Sequence, residues 1–132
     1  MAIDPSSFSQ NETWILFRLN ERPICTEADG DFHAMAIMEA ASGIILGVEM
    51  VPITHEEISE LQARRLLSAS ANKAGDRPTF LFIGSEEQAD QISSAAGTMK
   101  IEVKRVPARD FSEITGQARD SFAKHVSGRG SP

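Results

Sequence analysis

The chain has 132 residues, 41% of them hydrophobic and 24% charged, with a formal net charge of −6. That is enough for one domain with one core, and the acidic balance argues against a general nucleic-acid or anionic-membrane surface, which would rest on Lys and Arg. The single cysteine, Cys25, excludes an intramolecular disulfide and a Cys-rich metal site; no apolar run reaches transmembrane length; and MAIDPSSFSQ lacks the basic and apolar regions of a signal peptide, so the expected compartment is the cytoplasm.

Residues 1–12 read as a polar N-terminal extension with a turn at Asp4-Pro5-Ser6-Ser7. Residues 13–20, TWILFRLN, are the first predicted strand. Ile15, Phe17 and Leu19 share one face; Trp14, Leu16 and Arg18 share the other. A loop over 21–31 follows, with Pro23 and Asp29-Gly30 as breakers. Ile24-Cys25-Thr26 could add a short bridge there, and Cys25 itself reads as a buried structural residue.

The organising stretch is 32–51, FHAMAIMEAASGIILGVEMV. Its first half alternates Phe32, Ala34, Ala36 and Met38 with His33, Met35, Ile37 and Glu39. Its second alternates Ile44, Leu46, Val48 and Met50 with Ile45, Gly47 and Glu49. Period two with two largely apolar faces predicts strands covered on both sides. Gly43 supplies the positive φ of a tight turn at Ala41-Ser42-Gly43. Ala and Met in AMAIMEAA also suit a helix. The β-branched Ile44-Ile45 and the turn between the halves favour the hairpin.

Pro52 ends the hairpin. Thr54-x-x-Glu57 has the capping-box pattern, which predicts a helix from about His55 with Ile58, Leu61, Leu66 and Leu67 inward and Arg64 and Arg65 outward. Gly75 is its natural stop. Residues 79–83, TFLFI, look like a central parallel strand. Ser85-x-x-Gln88 is a second capping pattern, placing Glu86 inside a helix that carries Ala89, Ile92, Ala95 and Ala96. Residues 99–106 form a one-sided strand whose Lys100 and Lys104 suit a sheet edge. Asp110-x-x-Glu113 opens a last helix through about Val126, with Phe111, Ile114, Ala118 and Phe122 inward. Residues 128–132 read as a frayed tail, so the domain proper is 13–127. Ile15, Phe17, Leu46, Leu61, Phe80, Phe82, Ile101 and Phe111 are the expected core.

The order β-β-β-α-β-α-β-α, three antiparallel strands before a right-handed β-α-β unit, predicts an α/β (α+β) ribonuclease-H-like fold. Its five-stranded mixed sheet would have the order 3-2-1-4-5. The stretch 14–126 also resembles a prokaryotic domain family of unknown function with a predicted ribonuclease-H-like fold. LNERP after the first strand, FHAMAIM, ASGIILGVEMVP with its G-x-E and following Pro, Arg77-Pro78 and IEVKRVP carry the resemblance. It implies a fold and a bacterial or other prokaryotic source, and no site.

Nucleases of this fold hold divalent metal with an Asp in the first strand, a Glu on the first helix, an Asp at the end of the fourth strand and an acid on the last helix. Hard cations take oxygen ligands, and two metals must flank the reacting phosphate. Here the first strand offers Arg18, with Asn20 and Glu21 after it, and the fourth ends in Gly84-Ser85. Glu57 and Glu60, then Asp110, Glu113 and Asp120, supply only the helical stations. The reading is therefore a non-catalytic binding or interaction module. The rival is an unusual metal-dependent nuclease or hydrolase using Glu57, Glu60, Asp110 and Glu113.

Other constellations are weaker. His33, His55 and His125 are scattered, there is no G-x-S-x-G elbow, and Trp14 reads as core. Gly84-Ser85 at a helix start could take an anion, but Glu86 and Glu87 oppose it. Lys100, Lys104, Arg105 and Arg109 read either as a solvated edge or as a local anion contact. No cofactor is expected. Ile44, Ile45, Leu46, Gly47 and Val48 form an uncharged edge. That edge either pairs with a second copy or another protein's strand, or is covered by residues 1–12 or the loop 21–31.

Overall fold

Strand β1 (Thr13–Arg18) is buried from Thr13 through Phe17. A strand apolar on both faces must lie inside a sheet covered on both sides. Beside β1 on one flank lies β3 (Gly30–Glu39), antiparallel, with Trp14 opposite Glu39 and Arg18 opposite Met35. On the other lies β5 (Phe80–Gly84), parallel. β4 (Ile45–Pro52) pairs antiparallel with the outer side of β3, and β6 (Glu102–Val106) pairs parallel with β5. The short β2 (Ile24–Thr26) pairs with β3 beyond the end of β1, on the same side as β1. The main strands thus stand in the order β4-β3-β1-β5-β6, the expected 3-2-1-4-5 with β2 as the foreseen short addition. The computed structural model describes residues 5–20, 24–26 and 30–130. Glu21, Pro23 and Asp29 lie outside the described residues, as do the side chains of Cys25, Phe122 and His125.

Each face has its own core. On one, α1 (Glu60–Ala74) and α2 (Asp90–Thr98) cover Trp14, Leu16, Ile37, Leu81 and Ile83. On the other, Phe111, just before α3 (Ser112–Gly130), and Ile114 and Ala118 of α3 lie near Ile15, Phe17, Ala36 and Met38. Phe8 joins this second core edge-on to Phe82, ring centroids 5.8 Å apart. The alternation read for β1 and β3 therefore holds residue by residue. The hairpin turn is fastened by Glu39, whose carboxylate accepts from the Ala41 and Ser42 N–H groups at 2.7 and 3.1 Å. Gly43 takes φ +76° as the turn requires.

In β4 the expected alternation breaks. Ile37 faces Gly47 and Met38 faces Ile45, so Leu46 is a bulge residue. It turns toward α1 with Gly47, Glu49 and Val51, while Val48 and Met50 look to the α3 side.

Both capping patterns were misplaced. α1 starts five residues late, capped by Ser59 with Gln62 in a reciprocal box. Ile58 is buried before the helix begins, so the inward stripe is Ala63, Leu66, Leu67 and Ser70 and Leu61 stands 70% exposed instead of in the core. α2 starts at Asp90 behind Ala89, with no side-chain cap from Ser85. Glu86 lies in a turn before α2, and its carboxylate accepts the Ala108 N–H at 3.2 Å. α3 begins at Ser112, after a 3-10 turn over Ala108–Asp110, and continues to Gly130, past the expected stop. β6 is shorter than predicted because Met99 and Lys100, the latter at φ +61°, turn the chain after α2. Phe80 and Phe82 are partly buried, whereas Leu81 and Ile83, which alternate with them, are fully buried.

Candidate functional site

β1 and β5 run parallel, and the chain leaves them in opposite directions, toward β3 and toward β6. The crevice beyond the carboxyl ends of such a pair is where open α/β sheets take ligands. Here it is a cleft of about 180 Å³, floored by Leu16, Arg18, His33 and Met35. Its walls are the two loops that enter α1 and α2, with Glu57, Ile58 and Glu87 among their residues. Strand alternation puts Arg18 and His33 on one face and so brings them together.

Arg18 is half-buried and has no ion-pair partner among the described residues. Burial, and after it the Arg18 charge, hold the His33 pKa below its ordinary 6.5, against a pull upward from Glu87. Burial and the neighbouring guanidinium thus favour the neutral imidazole of His33. Asn20 lies beside it, its Nδ2 3.4 Å from His33 Nδ1, while its carbonyl accepts the Ala34 N–H at 2.7 Å. The floor thus offers one fixed cation and one neutral donor–acceptor on an apolar bed. It can orient a polar group, but it brings no carboxylate from the strands.

The carboxylates proposed from the sequence do not converge. Glu57 accepts the Gln91 N–H at 2.9 Å and so caps α2 from the neighbouring loop, where Ala89 has no side chain to do it. Glu60 pairs with Arg64 one turn along α1. Asp110 sits in the 3-10 turn before α3, and Glu113 lines a groove on the opposite face of the sheet. The Glu86 carboxyl is held below the usual range, first by the Ala108 N–H and then by Ser85. Among the described residues no group of three or more His, Cys, Asp or Glu is arranged to hold a metal ion.

The four cations on and around β6 also separate. Arg105 donates to the Gly84 and Glu87 carbonyls at 3.0 and 2.8 Å. Lys104 lies 4.8 Å over the Phe80 ring and pairs with Glu102. Lys100 borders a cleft with Asp76, Arg77 and Glu102, and Arg109 is in the turn before α3.

The second feature is the outer edge of the sheet. Among the described residues, β4 has one strand neighbour, β3. The described N-terminal residues do not cover it: Phe8 packs on Phe82 of β5, and Asn11 reaches Asp76 and Trp14. Beside β4 on the α3 face runs a groove of about 760 Å³ whose lining includes Leu19, Met38, Ile45, Val48, Ile114 and Ala118. The described side chains of α3 pack toward the inner strands of that face.

The arrangement that sequence reasoning missed is the Arg18–His33–Glu87 neighbourhood with Glu57 at its wall. The parity of Arg18 and His33 was visible; the approach of the two loops was not. No helix among the described residues is long and apolar enough to cross a membrane. No known protein family and no curated protein matches the sequence. Among solved structures, the catalytic core domain of BIV integrase is similar over 92% of this chain and 75% of that one, with a TM-score of 0.58 at 13% identity. At that identity the likeness concerns architecture, and together with the strand order it makes this chain ribonuclease-H-like in fold.

Proposed function

We propose that the chain is a non-catalytic binding or protein-interaction module on a ribonuclease-H-like scaffold. The observation that carries this reading is Arg18. The carboxyl end of β1 is where a two-metal site needs a carboxylate, and a half-buried guanidinium stands in the cleft there. A fixed positive charge at that point repels divalent cations. Gly84 and Ser85 at the end of β5 supply no carboxylate either. The alternative, a metal-dependent hydrolase on Glu57, Glu60, Asp110 and Glu113, would require acids from both faces of the sheet to act on one phosphate. Two of those acids already hold Gln91 and Arg64.

The test is direct. Incubation with Mg²⁺ or Mn²⁺ and single-stranded, duplex and hybrid nucleic acids is expected to leave every substrate intact. Cleavage that disappears in Glu57→Gln would refute the reading.

A further inference from the structure

The described residues include five large hydrophobic side chains that stand exposed: Ile44, Val48, Met50, Ile53 and Leu61. Scattered singly they would mean little. Four of them lie on β4 or next to its ends, and the fifth is on α1, the helix packed over β4. The exposed apolar surface is gathered at one edge of the molecule, which marks an interaction surface.

The backbone there has a definite phase. Ile53 donates to the Asp31 carbonyl at 3.0 Å, and Glu39 donates to the Ile44 carbonyl at 2.9 Å. Antiparallel pairs alternate between hydrogen-bonded and non-bonded. The bonded phase therefore falls on Val51, Glu49 and Gly47, opposite His33, Met35 and Ile37, and Val48 and Met50 point their backbone groups away from β3. Side chains of α1 confirm this phase by reaching over the edge: Gln62 donates to the Met50 carbonyl at 2.7 Å and Lys73 to the Ile45 carbonyl at 3.0 Å. They clamp both ends of the edge. Val48, between them, presents both its N–H and its C=O outward.

We infer that this edge pairs with the same edge of a second copy, antiparallel across a two-fold axis at Val48. This deepens the interaction-module reading and rests on it. A residue that offers one donor and one acceptor outward is complementary to itself under such an axis, and isologous two-fold pairing is the commonest way a chain meets its own copy. Glu49 would then oppose Gly47 of the other copy, so no like charges meet. Charge supports a copy as the occupant in another respect. The chain carries −6 overall, yet at this edge Glu49 is paired with Arg65 at 3.0 Å and Glu60 with Arg64, and Lys73 adds a positive charge. Two copies can approach here without the repulsion their net charge creates elsewhere. The opposite edge, β6, is defended by exposed Glu102, Lys104 and Arg105, as unpaired edges usually are.

Sedimentation equilibrium on the full chain across concentration is expected to show a monomer–dimer equilibrium. Val48→Lys and Met50→Lys, both at exposed positions, should each raise the dimer dissociation constant by roughly tenfold or more with unchanged circular dichroism. Glu102→Lys on the far edge should leave it unchanged. Should Val48→Lys fail to fold, the Val48 amide of the wild type serves instead: its hydrogen exchange should accelerate on dilution. A wild type that stays monomeric up to about millimolar concentration overturns the pairing, as does a dimer indifferent to both lysines. If an added apolar strand peptide then protects the Val48 amide of that monomer, the occupant is a foreign strand. A monomer without nuclease activity removes the pairing alone, whereas nucleic-acid cleavage removes the module reading whatever the oligomeric state.

Discussion

Gly47 lies close beneath α1, and adding one methyl there tests the packing of α1 on β4. A Cβ at Gly47 would lie 2.9 Å from Ser70 Oγ, 3.0 Å from Leu66 Cδ1 and 3.6 Å from the Leu66 carbonyl oxygen. The first two are under or at the limit of real contacts, so α1 or its side chains must give way. Overpacking of this kind costs about 1–3 kcal/mol. Alanine in a strand recovers about 0.5–1 kcal/mol of the entropy that glycine loses on folding. The net loss for Gly47→Ala should be roughly 0.5–2 kcal/mol. Ser70 makes the case sharper, because its hydroxyl is buried and has no hydrogen-bond partner among the described residues. Ser70→Ala should be neutral or stabilising, since it removes an unsatisfied polar atom and improves helix propensity. It also removes the nearer of the two clashing atoms. Urea unfolding followed by the single Trp14, at one fixed protein concentration, gives all four corners of the double-mutant cycle. The loss from Gly47→Ala should be clearly smaller in the Ser70→Ala background. An equal loss in both backgrounds, or no loss in either, would refute this account of the contact.

Two further outcomes follow from burial and charge. Phe111 is 2% exposed at the centre of the second core, so Phe111→Ala should cost on the order of 3–5 kcal/mol, while Leu61→Ala, at 70% exposure, should stay within about 0.5 kcal/mol; thermal melts of both check the corrected helix phase. His33 has a folded pKa below its unfolded 6.5, so the unfolded chain takes the proton first. The stabilisation of the neutral form is present in full above 6.5 and is lost as pH falls from there through the lower folded value. A melting temperature that drops no more steeply in the wild type than in His33→Gln, between about pH 7.5 and 5.5, would contradict that linkage.

The sheet was legible because strand alternation is a local code. Trp14 and Leu16 against Ile15 and Phe17, or Ala34 and Ala36 against Met35 and Ile37, could each be assigned from neighbours two residues away, and the structure keeps every one of them. Helix starts were not legible, because the capping pattern is a local code with several readers. Thr54-x-x-Glu57, Ser59-x-x-Gln62 and Ser85-x-x-Gln88 all have the form, and only the middle one caps a helix. Burial of Ile58 decides between the first two, since it fixes the chain on the core before the helix can begin. Ala89 has no capping side chain, yet α2 forms, because Glu57 arrives from 34 residues upstream to accept the Gln91 N–H. No window of sequence contains both partners.

The same distinction governs the candidate sites. The misfit of Arg18 to a metal site is a property of one residue on one strand and could be read directly. Its neighbourhood could not, because His33 comes from β3, Glu57 from the loop before α1 and Glu87 from the loop before α2. The edge of β4 lies between these cases. Its lack of charge was visible in Ile44-Ile45-Leu46-Gly47-Val48. The bulge at Leu46 and the two α1 side chains over the Ile45 and Met50 carbonyls were not, and they centre the open part of a five-residue apolar run on Val48. An edge so narrowed is partly defended against indiscriminate strand addition. It stays open to a partner that pairs in one register, and self-pairing at a two-fold axis is a contact in which the register is set by symmetry.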